Sequence, residues 1–379
     1  MHIGMFVELY RPYTSGVVVA VEDLCRELQR QGHEVVIFAP YMPRYKDSNE
    51  FQVIRLPGYY IAWPFLTRRV IDQVKKLKLD IIHIHGPYHT GFLGVHIAKR
   101  LDIPVVMTSH TQIFMYLRIW LKVFGVDLSL VPRLIAGWAT RYVSKGCKLI
   151  ITPGKCVKDV LVESGVKAPI YTLPNGITIL DSLPDKALVR QELGLPGDNT
   201  LLVYVGRIAQ EKNLGMLLEA FEWSCGRNTR TKLILVGGGR ELERIKRYVD
   251  KNGLQDRIIF VGCVPHNKVW SYLAAADMFV FPSITETNGL VVSEAMAAGL
   301  PVIVTDEGGA CELVTHEKTG LITKNHPRRF ADEIGYLLEH PGTGVQLGQN
   351  AQKKICKIVS IGHFCDSIVK YYKQAIASP

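Results

Sequence analysis

At 379 residues the chain is long for a single hydrophobic core, and 47% hydrophobic against 21% charged residues is a folded rather than a disordered composition. The formal charge of +10 is unevenly placed: residues 1–170 hold 22 Lys and Arg against 13 Asp and Glu, a net of +9, and the remainder nets +1. No uninterrupted apolar run of about 18 residues suggests a transmembrane helix, and no basic leader or cleavage site opens the chain, so a cytosolic protein is expected.

In chain order, a short strand at residues 3–6 leads through the small-residue loop from Pro12 to Gly16 into a helix over 17–30. β-branched runs recur at 35–39, 81–85 and 105–109 with amphipathic stretches between them, the pattern of a parallel sheet with crossover helices. Two segments mix aromatic and basic residues: Trp63 and Phe65 precede Arg68 and Arg69, and Tyr116, Arg118, Trp120 and Lys122 follow His110. Such mixtures suit the headgroup level of a bilayer, and an anionic surface attracts basic side chains. They equally suit buried helices with solvated basic ends.

A polar stretch over 182–200 with Pro184, Pro196 and Gly197 reads as a linker around a short helix, after which the strand rhythm resumes at 201–205, 232–236, 258–261, 278–281 and 302–305. Two doubly wound α/β domains are expected, 1–180 and 181–357. A helical pattern beyond Gly342, interrupted near Gly362, closes the second domain and crosses back onto the first over about 358–379. The eight cysteines show neither C-x-x-C nor zinc spacing and read as buried, reduced thiols.

In doubly wound sheets ligands bind beyond the carboxyl ends of strands, and the informative residues here follow strands. From Glu286 to Glu294 two carboxylates lie eight positions apart around Gly289, with Asn288 at the expected helix cap and Leu290 opening the helix. A helix amino terminus suits a phosphate, and the carboxylates have the reach to hold a sugar hydroxyl and a ribose hydroxyl. Arg207 and Lys212 follow the strand at 201–205 as two cations suited to a diphosphate. His110 ends a strand, where an imidazole either hydrogen-bonds a hydroxyl or shuttles a proton. Gly16 opens a helix that could admit a phosphate. Gly237-Gly-Gly239 is a weaker version of the same idea, with a tight turn as its structural reading. The carboxylate pair, the two cations and His110 alone also have structural readings: an acidic helix start, an exposed loop and a core histidine.

Together with Leu173-Pro-Asn-Gly-Ile177, Phe281-Pro-Ser283 and the run from Glu294 to Val302, these motifs resemble the retaining glycosyltransferases of family 4. The resemblance spans Gly16 to Gly320 and implies the GT-B fold, two facing Rossmann-like domains with active-site loops on one cleft. It implies that Glu286 contacts the donor sugar, Glu294 the nucleotide ribose, Arg207 and Lys212 the diphosphate, and that His110 lies beside the sugar. No catalytic metal or cofactor is expected, the two cations taking a metal's part. Most similar is the branch that glucosylates diacylglycerol on bacterial membranes, which implies a UDP-sugar, UDP-glucose foremost, and a lipid acceptor for a protein peripheral on the inner face of the cell membrane. The alternatives are the same chemistry on a soluble or cell-wall glycan and a nucleotide-sugar-binding protein without turnover. Nucleic acid is set aside, since no nucleic-acid motif accompanies the basic half.

Overall fold

A computed structural model describes the chain apart from residues 14, 57–63, 111–130, 196, 226–229 and 379, and of 64–67 and 131–136 it describes the backbone alone. The chain divides into two compact units, Met1–Gly176 with Ile361–Pro379, and Ile177–Ser360.

The first unit is built on a parallel sheet of β1 (His2–Phe6), β2 (Glu34–Pro40), β3 (Gln52–Leu56), β4 (Ile81–Ile84), β5 (Val105–Thr108), β6 (Leu149–Thr152) and β7 (Ile170–Thr172), in the order β3-β2-β1-β4-β5-β6-β7. The central strands are buried on both faces, which is why they are mainly apolar, with His83 of β4 and Thr108 of β5 as buried polar exceptions. The period of two sorts β1 between them: Ile3 and Met5 enter one core cluster and Phe6 the other. α1 (Gly16–Arg30) covers the first face, its start capped by Ser15 accepting from the Val18 N–H at 3.3 Å. α2 (Pro64–Leu77), α3 (His89–Leu101), α4 (Val131–Ser144) and α5 (Lys155–Glu163) supply residues of the second cluster, including Val74, Ile97, Val143 and Leu161.

The second unit repeats the plan with β8 (Thr200–Val205), β9 (Thr231–Val236), β10 (Ile258–Gly262), β11 (Met278–Phe281), β12 (Val302–Thr305) and β13 (Leu321–Thr323), parallel in the order β10-β9-β8-β11-β12-β13. Its helices are α6 (Lys186–Glu192), α7 (Leu214–Cys225), α8 (Leu242–Lys251), α9 (His266–Ala275), α10 (Leu290–Ala297), α11 (Pro327–Glu339) and α12 (Pro341–Val359). At Ser360 the backbone turns extended (φ −57°, ψ 138°) and ends α12, two residues before the expected interruption. Gly362 instead lies inside α13 (Ile361–Ala377), which returns to the first unit and buries Phe364, Cys365, Ile368 and Tyr372 against α1 and the sheet. Burial of Phe364 and Ile368 contributes about 1.5–3 kcal/mol each, enough to hold the helix there.

Strands β3, β6, β7 and β13 lie beyond the runs read in the sequence. β3, β7 and β13 are edge strands; the last two have three residues each, and β3 carries Gln52 and Arg55, as edges commonly do. The cysteine expectation holds for the free thiols and only in part for burial: Cys25, Cys147, Cys225 and Cys365 are buried, Cys156, Cys311 and Cys356 are half-buried, and Cys263 is exposed in the loop that follows β10. In each sheet the winding direction reverses once, between β1 and β4 and between β8 and β11, and these reversals are where doubly wound sheets bind ligands.

Candidate active site

In the second unit the reversal point gathers two loops. The first leaves β8 through Gly206 and Arg207 and closes in a single turn at Gln210–Lys212. It is tied to the loop after β9: Gly206 N donates to Val236 O and Ile208 N to Gly238 O, both at 2.9 Å. Gly237 makes this approach possible. Its φ is +133°, and a Cβ there would stand 1.9 Å from the Gly206 carbonyl oxygen. The triple glycine thus serves close packing of the Arg207 loop. Below it the Tyr204 hydroxyl, fully buried, donates to the Arg207 carbonyl at 2.8 Å; burial, with Glu286 nearby, raises that phenol's pKa well above its ordinary value.

The second loop follows β11 and carries Glu286, whose carbonyl accepts from Gly309 N at 2.6 Å. Lys212, buried over the Phe281 ring with its ammonium 5.9 Å from the centroid, makes a short ion pair with Glu286. The cation and the carboxylate lie 74 residues apart in the chain, and the switch point brings them together. Arg207, half exposed, pairs with Glu211 at 2.9 Å on the same turn.

The cap of α10 is Gly289 and not the expected Asn288. Gly289 adopts φ +76°, left-handed backbone that costs a glycine little, while Asn288 lies one residue earlier and is buried. The first turn of α10 holds no acidic residue, so the acidic-start reading of Glu294 does not apply. Glu294 lies in the second turn, 3% exposed, and meets His266 Nε2 at 2.6 Å. Three buried hydroxyls around this loop, Ser283, Thr285 and Ser293, have no hydrogen-bond partner among the described residues.

In the first unit the residues after β1, β4 and β5 form a second group. Glu8 Oε2 accepts from Thr90 N at 2.9 Å and so caps α3, whose own cap residue Tyr88 makes no side-chain cap bond. Gly16 is exposed as the first residue of α1. His110 is buried, its Nε2 2.9 Å from His85 Nδ1. His83 is buried as well, held between the Tyr372 hydroxyl and Thr108 Oγ1 at 2.7 Å each. Burial pushes the His110 pKa down to about 4 and, with His110 nearby, that of His83 to about 3. A neutral imidazole with so low a pKa suits a hydrogen bond to a hydroxyl better than a proton shuttle near neutral pH.

A family model described as Glycosyl transferases group 1 matches residues 185–354, and one described as Glycosyltransferase Family 4 matches 14–179. The alpha-monoglucosyldiacylglycerol synthase of Acholeplasma laidlawii is 30% identical over 366 residues, covering 93% of this chain and 92% of that protein. The chain belongs to glycosyltransferase family 4.

The fold of this glycosyltransferase is GT-B. Sucrose-phosphate synthase from Thermosynechococcus elongatus superposes with a TM-score of 0.83 at 23% identity, covering 100% of both chains. HepE from Anabaena, solved in complex with UDP, superposes with a TM-score of 0.81 at 19% identity over 99% of this chain and 100% of that one. Of the expected acceptor-side residues, Arg68 and Arg69 are exposed on α2. Trp63, Tyr116, Arg118, Trp120 and Lys122 lie outside the described residues, as does the Phe65 side chain. No helix among the described residues is long and apolar enough to cross a membrane. His83, His85, His266 and Tyr204 are additions to the residues singled out from sequence. His85 and His266 follow strands, and the strand-end rule that marked His110 could have marked them.

Proposed function

We propose that this glycosyltransferase moves glucose from UDP-glucose, with retention at the anomeric carbon, onto a membrane lipid acceptor such as diacylglycerol at the inner face of the cell membrane. The observation that carries the donor half is the contact between Lys212 and Glu286 at the β8/β11 reversal, with Arg207 on the same loop. Lys212 and Arg207 neutralise the diphosphate as the bond from its oxygen to the anomeric carbon breaks, so no metal is needed for that charge. Glu286 accepts from hydroxyls of the hexose, Glu294 from the ribose, and the Gly289–Leu290 backbone at the start of α10 faces the phosphates. His110 takes a sugar hydroxyl. The incoming acceptor hydroxyl forms the new bond to the anomeric carbon and passes its proton to the departing phosphate oxygen.

Support for the acceptor comes from the name of the Acholeplasma relative and from the net +9 of residues 1–170. Each basic side chain near an anionic surface contributes about 1 kcal/mol, an attraction that salt screens. The test is incubation with a panel of nucleotide sugars, with neutral or anionic vesicles containing diacylglycerol, in low and high salt and with a chelator. Expected is glucolipid from UDP-glucose, faster on anionic vesicles at low salt and unchanged by chelation. Transfer to a soluble glycan alone would overturn the acceptor, and loss in chelator restored by a divalent ion would overturn the role of the two cations.

A further inference from the structure

In the first sheet the winding reverses between β1 and β4, and a ligand of this unit belongs beyond their carboxyl ends. Glu8 stands two residues past β1, and α3 opens at His89, five residues past β4. A helix start at such a place suits a phosphate, because its N–H groups are open and its dipole end is positive. Here it is already taken by an anion: Glu8 Oε2 accepts from Thr90 N at 2.9 Å, and a phosphate would meet that carboxylate at close range. The Glu8 side chain is half-buried, and its other oxygen is engaged by none of the described residues. A carboxylate oxygen only accepts, and a hydroxyl is the group it takes.

The loops beside Glu8 present apolar surface. Leu9, Tyr13 and Tyr41, after β1 and β2, are 39%, 45% and 52% exposed. Arg55 fastens the two loops together, donating to the Arg11 carbonyl at 2.7 Å and to the Pro40 carbonyl at 2.8 Å. The cations that brace this rim are spent within it: Asp47 holds Arg55 at 2.6 and 2.9 Å, and Glu22 holds Arg11 at 2.6 and 2.8 Å. A carboxylate with an open oxygen, arginines already neutralised and exposed rings suit an uncharged, amphipathic alcohol.

We propose that Glu8 binds the hydroxyl of a neutral lipid acceptor and that Leu9, Tyr13 and Tyr41 cover the first carbons of its acyl chains. The inference deepens the proposed function and rests on it for the acceptor being a lipid. Glu8 then determines specificity, favouring an alcohol over a phosphate ester.

Calorimetric titration of the full chain reads the contact without turnover. The probes are 1,2-dihexanoylglycerol, which has one hydroxyl, 1,2-propanediol dihexanoate, which has none, and the phosphatidate with the same chains. Wild type should bind the alcohol about tenfold or more tighter than the diester, as for a hydrogen bond to a charged group; equal affinities, or tighter binding of the phosphatidate, would overturn the proposal. Glu8→Gln keeps a carbonyl oxygen for Thr90 N and turns an amide donor to the ligand. The alcohol should lose its advantage in this variant while affinity for the diester and for UDP holds. Equal weakening of both neutral probes, or weaker UDP, would show that the substitution acts through the fold, and undiminished transfer to diacylglycerol would equally remove Glu8 from the site. Tyr41→Ser should weaken both neutral probes roughly fourfold or more, the worth of one buried methylene; unchanged affinity would overturn the rim. If wild type binds the alcohol through Glu8 but transfers no hexose to it, the proposed function falls and the binding site stands.

Discussion

Removing the Lys212 ammonium should separate the structural weight of the ion pair from its chemical weight. Lys212 and Glu286 keep 10% and 20% of their side-chain surface exposed, so the pair is largely but not wholly withdrawn from water. Removing one partner of a fully buried pair costs about 3–5 kcal/mol, because the other charge is left in a poor solvent. The remaining exposure of Glu286 sets the expected loss for Lys212→Met at the lower end, about 3 kcal/mol, or roughly 6–12 °C in apparent Tm for a domain of this size. Turnover should fall about 100-fold or more as the departing diphosphate loses a cation. In Lys212→Met/Glu286→Gln no charge is stranded, and most of the lost stability should return while turnover does not. The assay pairs thermal unfolding with initial rates under saturating donor. Recovery of turnover together with stability in the double variant would show that the pair only holds the loops together.

The two carboxylates should part kinetically: Glu294→Ala weakens both free nucleotide and nucleotide sugar, whereas Glu286→Ala spares the free nucleotide and damages transfer, and calorimetric titration showing equal loss of nucleotide affinity would refute the split. Gly237→Ala and Gly253→Ala both place a side chain at positive φ, +133° and +65°, but only the first meets backbone, the Gly206 oxygen at 1.9 Å, while nothing lies within 4 Å of the second. Gly253→Ala should therefore cost about 1 kcal/mol and Gly237→Ala distinctly more, with weaker nucleotide binding as well; equal shifts in Tm would refute the packing role. Stability should also fall on acidification from pH 6.5 to 5. His83 and His110 have folded pKa values near 3 and 4 against 6.5 for the unfolded chain, so in this window the unfolded state binds more protons and the slope approaches about 1.4 kcal/mol per pH unit for each histidine. Urea unfolding at the two pH values checks it, and a flat profile would mean that these rings are solvated.

Much of the molecule was legible in the sequence because its signals are local. Runs such as residues 35–39 and 302–304 are continuous in apolar residues because both faces of a parallel strand are covered, and a strand end is recognisable from the glycines, cations and carboxylates that follow it. Arg207, Lys212, Glu286, Glu294 and His110 were singled out on that ground, and the family resemblance supplied the role expected of each. The tertiary structure decided what stands beside what. Lys212 meets Glu286 only because β8 and β11 are neighbours across the reversal; His266 reaches Glu294 across 28 residues; and Met5, His85 and His110 line up because β1, β4 and β5 are consecutive in the sheet. Strand order is set by how crossover helices pack on a twisted sheet, a property of the whole chain that no window of sequence contains.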